Sequence, residues 1–281
     1  MQIIKSPKSM QKLADNLRQK GKQIGFVPTM GAFHQGHLSL IRKSVKENDV
    51  TIVSVFVNPT QFGPDEDFDK YPRAFRKDCD LAEKAGVDII FHPSVSMMYP
   101  DSFQTYVTPG DIADKLEGAA RPGHMRGVAT VCIKLFNIVK PHRAYFGQKD
   151  AQQLTMIKRV VADLNLDLKI ITCPIVRTSS GVALSSRHSY LSEDDLNKTR
   201  VIYDSLKLAK KLVRAGMTDI TAIRNRMVGM IKSVPRVRIE YIAFNRWDDL
   251  KELDTINGKV LISIVMVIGK IRLLDNIIIK K

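Results

Sequence analysis

Cysteine, tryptophan and long apolar runs are all scarce in this sequence. Its 281 residues hold three cysteines and one tryptophan. Cys79, Cys132 and Cys173 lie far apart, are odd in number and include no C-x-x-C pair. Neither a disulfide framework nor a zinc knuckle is therefore supported, and the three read as small buried apolar residues. The longest apolar run, Val260 to Ile268, is too short to span a bilayer. The N-terminus has no apolar core of signal-peptide length. A cytoplasmic protein without a membrane partner is expected. There is no low-complexity tract or repeat period, and no acidic cluster has metal-ligand spacing, so the sequence leaves any metal ligands unknown.

What is present is an ordinary globular composition, 44% hydrophobic and 26% charged. The length suits one large or two smaller domains. The net charge of +15 is large, but the basic residues are spread along the chain. Their densest cluster, Lys207, Lys210, Lys211 and Arg214, falls on a predicted helix and has no accompanying aromatic-basic motif. That pattern points to solubility or to anionic small substrates, not to nucleic acid.

Residues 24 to 41 are the most informative stretch. An apolar strand, Ile24 to Val27, runs through Pro28 into a loop with Gly31, His34, Gly36 and His37. Leu38, Ile41 and Val45 then recur at helical spacing. This loop matches neither G-x-G-x-x-G nor G-x-x-x-x-G-K-[ST]. It still has the outline of an anion site, because the first N–H groups of a helix lack intrahelical partners and the macrodipole favours negative charge there. His34 and His37, three apart, would point the same way on a helical turn.

Thr51 to Val57 is a continuous β-branched and aromatic run, as expected of a strand buried on both faces. It delivers the polar loop Asn58 to Gly63 at its C-terminal end, where ligands bind in open α/β sheets. Strands and helices keep alternating to about residue 175: a helix from Arg76, a strand at Val87 to Phe91, and loop and turn from Pro109 to Gly127. An amphipathic helix from Val128 to Val139, a strand at Arg143 to Phe146, a helix from about Asp150 and a strand at Leu168 to Thr172 follow. This is the pattern of a parallel, doubly wound sheet. From Arg177 a polar small-residue loop, a long helix from a capping box at Ser192 to about Arg214, a second helix and three strands suggest a smaller α+β domain. The boundary is drawn between a domain of residues 1–176 and one of residues 177–281.

Four segments together resemble the pantothenate synthetase (pantoate–β-alanine ligase) family: P-T-M-G-A-F-H-Q-G-H (28–37), F-V-N-P-T-Q-F (56–62), R-P-G-H-M-R-G-V-A-T with A-Y-F-G-Q-K-D-A-Q-Q (within 121–153), and L-S-S-R (184–187). The likeness runs from residue 2 to Asp275-Asn276. It implies a Rossmann-like nucleotidyl-transferase-type domain with a C-terminal lid, and a two-step reaction. Pantoate and MgATP give pantoyl adenylate and pyrophosphate; the amine of β-alanine then releases pantothenate and AMP. ATP would be a co-substrate, Mg²⁺ would accompany it, and a homodimer is implied.

The resemblance also implies residue roles. His37, His34, Lys149 and Arg187 would act on the triphosphate, with His37 the proton donor. The ATP site would comprise Met30, Gly31, Ala32, Phe33, His34, Gln35, Gly36 and His37. It would continue through Gly147, Gln148, Lys149, Asp150, Val176, Leu184, Ser185, Ser186 and Arg187. Val176 and Leu184 would flank the adenine, and Gly147 and Asp150 the ribose. Gln61 and Gln153 would bind pantoate, and Gln61 also β-alanine, since amides both donate and accept. Met30 and Phe62 would wall the gem-dimethyl group. The chain departs from most relatives at Gln148, where Glu is usual, at Ser180 before Gly181, and at His188, where Asn is usual. The alternative is a nucleotidyltransferase acting on another small acid or phosphate substrate.

Overall fold

The computed structural model describes residues 1–64, 66, 68–185, 188 and 190–281. The chain divides into two compact units. One is Met1–Gln148 with Gln152–Pro174, and the other is Lys149–Ala151 with Ile175–Lys281.

The first unit is a Rossmann-like parallel sheet with helices on both faces. Its strands are β1 (Gln2–Ile4), β2 (Ile24–Thr29), β3 (Val50–Val55), β4 (Ile89–Phe91), β5 (Arg143–Gly147) and β6 (Lys169–Cys173). They lie in the order β1-β4-β3-β2-β5-β6, every pairing parallel. The chain runs outward from β2 through β3 to β4, then returns to the other side of β2 with β5. That reversal is a topological switch point, and in such sheets ligands bind beyond the strands' C-terminal ends there. The loops after β2, β3 and β5 carry three of the sequence motifs.

Alternation along the central strands explains the two layers. Val27 and Tyr145 face one side, in a core with Leu38 and Ile41 of α2 (Gln35–Glu47) and Ala82 of α3 (Phe75–Lys84). Phe26 and Phe146 face the other, where both rings meet Phe136 edge-on at 6.4 and 6.3 Å. Phe136 lies on α6 (His124–Val139), and α1 (Pro7–Gln19) packs beside it. The short helix α4 (Val95–Met98) follows β4, and α5 (Leu116–Ala120) lies in a segment expected to be loop and turn. Likewise α6 begins at His124, inside the stretch expected to be turn up to Gly127. Gly123, at φ 82°, takes the left-handed conformation just before it, which a glycine adopts without strain. The sheet's last helix is α7 (Ala151–Asp163).

The second unit is α+β. An antiparallel sheet, β7 (Val237–Arg246), β8 (Lys259–Ile268) and β9 (Ile271–Lys280), packs one face on α9 (Arg200–Arg214) and α10 (Ile220–Lys232). The long helix expected from Ser192 is two helices. α8 (Glu193–Lys198) is capped by the Ser192 hydroxyl, which accepts from the Asp195 N–H at 3.1 Å, and α9 starts afresh after Thr199. Among the described residues no helix is long and apolar enough to cross a membrane.

Candidate functional site

In the first unit the site grows from the end of β2. Thr29 turns its hydroxyl onto the Ser54 carbonyl at 2.6 Å and receives the Gly31 N–H at 3.2 Å. Gly31 and Ala32 are both left-handed, at φ 89° and 53°. A carboxylate holds them so: Asp78 of α3, 1% exposed, accepts the Ala32 N–H at 2.9 Å and the Phe33 N–H at 2.7 Å. Burial pushes the Asp78 carboxyl up, against the pull of those two donors. A Cβ on Gly31 would meet Asp78 Oδ2 at 2.9 Å, so the close approach also requires glycine.

This loop delivers His34 as the N-cap of α2, extended at φ −130°. Its Nδ1 accepts the Gly36 N–H at 3.0 Å, and the His34 N–H donates back to Nδ1 of His37 at 3.3 Å. The rings lie 4.2 Å apart, tilted by 36°. The pair is a capping box built from two imidazoles. An Nδ1 that accepts cannot carry a proton, so each neutral ring has its proton on Nε2. The anion site expected of bare backbone N–H groups is thus altered: the histidines take up two of those groups in the cap and present ring N–H donors instead. Gly36 is needed for this, because a Cβ there would lie 2.6 Å from His34 Cε1.

The loop after β3 forms the second wall. Asn58, 1% exposed, caps the 3-10 turn Pro59–Gln61. Its Oδ1 accepts from the Thr60 hydroxyl at 3.0 Å and from Tyr99 OH at 2.8 Å. Its Nδ2 donates to Gln61 Oε1 at 3.1 Å and to the Gly127 carbonyl at 3.2 Å. Gln61 Nε2 in turn points at Met30 Sδ, 3.0 Å away, which brings the β2 and β3 loops together.

The R-P-G-H segment fixes this turn from behind. Arg121 grips Glu66 with Nε–Oε1 at 2.7 Å and Nη2–Oε2 at 2.5 Å, and this pairing holds the Glu66 carboxyl below the usual range. Arg121 Nη1 lies 3.1 Å from His124 Nε2. Arginine only donates, so Nε2 accepts and Nδ1–H of His124 donates to the Gln61 carbonyl at 2.8 Å. Burial, and then the Arg121 charge, push the His124 pKa down, as this neutral role requires. α6 also presses on the turn, since a Cβ on Gly127 would fall 2.1 Å from the Thr60 carbonyl oxygen.

After β5, Gly147 and Gln148 are half-buried. The two glutamines of the Q-Q pair separate. Gln152, 4% exposed, ties α7 to the segment before α5, donating to the carbonyls of Ile112 at 2.9 Å and Lys115 at 2.6 Å. Gln153, the expected pantoate ligand, is half-buried on α7.

In the second unit, residues 176–184 form a hairpin. Thr178 and Gly181 close its turn at 2.9 Å, and the Leu184 N–H donates to the Val176 carbonyl at 3.0 Å. The two expected adenine neighbours, Val176 and Leu184, therefore sit opposite one another. Ser180 joins the turn through a 2.8 Å hydroxyl contact with Thr178. Lys149 and Ser185 are half-buried and Asp150 is exposed. His188 is half-buried; burial, then the Lys149 charge, push its pKa down. Ser186 and Arg187 lie outside the described residues.

A family model for pantoate-beta-alanine ligase matches residues 2–278 of this sequence. The chain belongs to the pantoate-beta-alanine ligase family. A pantothenate synthetase of Caldicellulosiruptor bescii is 51% identical over 280 residues, covering 100% of this chain and 99% of the relative. One from Thermotoga neapolitana is 49% identical over 278 residues, covering 99% of each. Among solved structures, pantothenate synthetase from Thermus thermophilus superposes with a TM-score of 0.92 at 37% identity, over 99% of both chains. A pantoate-β-alanine ligase from Francisella tularensis, complexed with β-γ ATP and β-alanine, gives 0.80 at 37% identity, over 99% of this chain and 97% of its own.

Within this ligase family's frame, sequence reasoning missed Asp78 and Gln152. Asp78 carries no local signal, being one acidic residue among several on an amphipathic helix. Gln152 is indistinguishable from its neighbour until the helix phase is known. Asn58 had a readable signal, an Asn directly before a Pro, the pairing favoured at a helical N-terminus.

Proposed function

We propose that the loops after β2 and β3 bind the acid and the α-phosphate of ATP, and that Lys149 and Arg187 are fixed cations for the triphosphate. The chain is an ATP-dependent, AMP-forming ligase. It condenses pantoate with β-alanine to pantothenate through pantoyl adenylate, releasing pyrophosphate, in coenzyme A biosynthesis. The reciprocal histidine cap carries the residue assignment. It sets two Nε2–H donors beside a sheet switch point without a net charge of its own.

A pantoate carboxylate oxygen attacks the α-phosphorus as the bond to pyrophosphate breaks. No protein nucleophile is needed, only positioning and donors for the charge that spreads over the phosphoryl oxygens. His37 Nε2–H is the donor in this reading, with His34 beside it and Lys149, Ser185, Ser186 and Arg187 on the phosphates. Gln61 and Gln153 hold the pantoate hydroxyls, and Met30, which already meets Gln61, walls the gem-dimethyl group. The β-alanine nitrogen then attacks the acyl carbon, the bond to AMP breaks, and the amine loses its proton. That amine must be neutral to attack. The Francisella tularensis relative, with its β-γ ATP and β-alanine, supports this pairing of ligands. Mg²⁺ is part of the proposal. Among the described residues no group of three or more His, Cys, Asp or Glu could hold a metal, and the protein ligands of Mg²⁺ are not assigned. A homodimer, tested by light scattering, is proposed on the resemblance alone.

The test is AMP formation from ATP with pantoate and β-alanine, omitting each in turn. No AMP formation that depends on pantoate would instead favour a nucleotidyltransferase acting on another small acid or phosphate substrate. One well-placed donor is worth about 3 kcal/mol of barrier. His37→Ala or Lys149→Ala should therefore lose roughly two to three powers of ten in pyrophosphate release. Near-wild-type release in either variant refutes that residue's role.

A further inference from the structure

We infer that Asn276 is a positioning residue for Lys149, an inference that rests on the reading of Lys149 above. Asn276 lies in β9 and is 1% exposed. Its Nδ2 donates to the main-chain carbonyl of Lys149 at 2.9 Å, across 127 positions of sequence. Lys149–Ala151 accordingly groups with the second unit, although Gln148 before it and Gln152 after it group with the first. The backbone that carries this cation is thus held by the C-terminal sheet.

Asn276 is itself fixed on its main chain. Asp275 Oδ1 accepts its N–H at 2.7 Å, and Arg177 Nη2 donates to its carbonyl at 3.3 Å. Arg177 and Asp275 form a two-bond pair, Nη1–Oδ2 at 2.5 Å and Nη2–Oδ1 at 2.9 Å, with Asp275 only 2% exposed. Arg177 also donates to the Gly181 carbonyl at 3.0 Å and lies 4.0 Å above the Tyr203 ring. Gly181 allows this packing, since a Cβ there would meet Tyr203 Cδ1 at 2.3 Å. Adjacent residues of one strand therefore hold two separate parts of the machinery. Asp275, through Arg177, fixes the 176–184 hairpin that leads to Ser185. Asn276 fixes Lys149. Successive side chains of a strand point to opposite faces, so a D-N pair reaches both at once.

The experiment compares Asn276→Asp and Asn276→Ser with wild type, each also combined with Lys149→Ala. Aspartate keeps the shape but turns an acceptor toward the Lys149 carbonyl; serine is smaller and keeps a donor. Pyrophosphate release at saturating pantoate is measured beside thermal unfolding. Misplacing a cation by a fraction of an ångström should cost about ten- to a hundredfold in the rate at saturating ATP in Asn276→Asp, with the KM for pantoate unchanged. On the Lys149→Ala background the same change should cost no more than about twofold, because coupled residues are not additive. Equal fold-losses on both backgrounds, or a single variant with the wild-type rate, overturn the inference. A serine variant that folds as wild type yet loses rate separates positioning from stability. Full activity in Lys149→Ala overturns the reading of Lys149 itself. An impaired Lys149→Ala beside fully active Asn276 variants overturns only the positioning role.

Discussion

Asp78→Asn tests whether a carboxylate outside the motifs shapes the loop after β2. The two oxygens of Asp78 accept the Ala32 and Phe33 N–H groups at 2.9 and 2.7 Å, and the side chain is 1% exposed. Asparagine retains one acceptor, but its NH₂ must face the other backbone N–H. One hydrogen bond to a charged group is lost, worth about 1.5–3 kcal/mol, and the second falls to a neutral bond worth about 1 kcal/mol. Relief of burying a charge offsets part of this, in line with the upward push on the carboxyl. The net is a loss of about 2–3 kcal/mol. At about 2–4 °C per kcal/mol for a chain of this order, the melting temperature should fall by roughly 4–12 °C. Released from its left-handed conformation, the loop no longer presents His34 to Gly36. The KM for ATP should rise, roughly tenfold, while the KM for β-alanine stays put. Thermal unfolding and steady-state AMP formation read both effects. A variant melting within a degree of wild type, with an unchanged KM for ATP, refutes the role given to Asp78.

Two further outcomes follow from the same geometry. Gly36→Ala should displace the His34 ring, whose Cε1 would lie 2.6 Å from the new Cβ. It should cost about 1 kcal/mol of helix capping and slow pyrophosphate release at least as much as His34→Ala; a crystal structure of the variant with the cap intact would sink this. Acid should destabilise the protein from about pH 6.5 downward. His124, His142 and His188 all have folded-state pKa values below their ordinary 6.5, chiefly through burial. Their stabilising contribution is complete above 6.5 and is lost as pH falls toward the folded values, because the unfolded chain binds the protons first. His124→Gln should flatten the melting temperature measured between pH 7 and pH 5; an unchanged slope would remove His124 from the account.

Much of the parallel sheet was readable because buried strands are written as short runs rich in β-branched residues, as in Val50–Val55. The strand-loop-helix around His34 and His37 was also readable, from a change of period flanked by glycines. The reciprocal cap was not. It depends on which ring nitrogen faces which N–H, and spacing alone says only that the rings are near. The early start of α6 was hidden by Gly123 and Gly127, which read as turn but serve a left-handed entry and a tight helix-to-turn contact. The break between α8 and α9 was masked by a periodicity that continues through Thr199. Asp78, Gln152 and the Arg177–Asp275–Asn276 network were out of reach, since each acts on main-chain groups 34 to 127 positions away.

On the proposed assignment, the imidazole cap also divides recognition of ATP into two kinds. In that assignment the loop given to the α-phosphate, whose two imidazole Nδ1 atoms both accept, contributes oriented dipoles and no formal charge. Added salt screens charges but hardly touches dipoles at contact distance. Ionic strength would therefore act on the share of binding that the proposal gives to Lys149 and the other cations. The share carried by the β2 loop depends instead on shape, and so on every atom that keeps Gly31 and Ala32 left-handed.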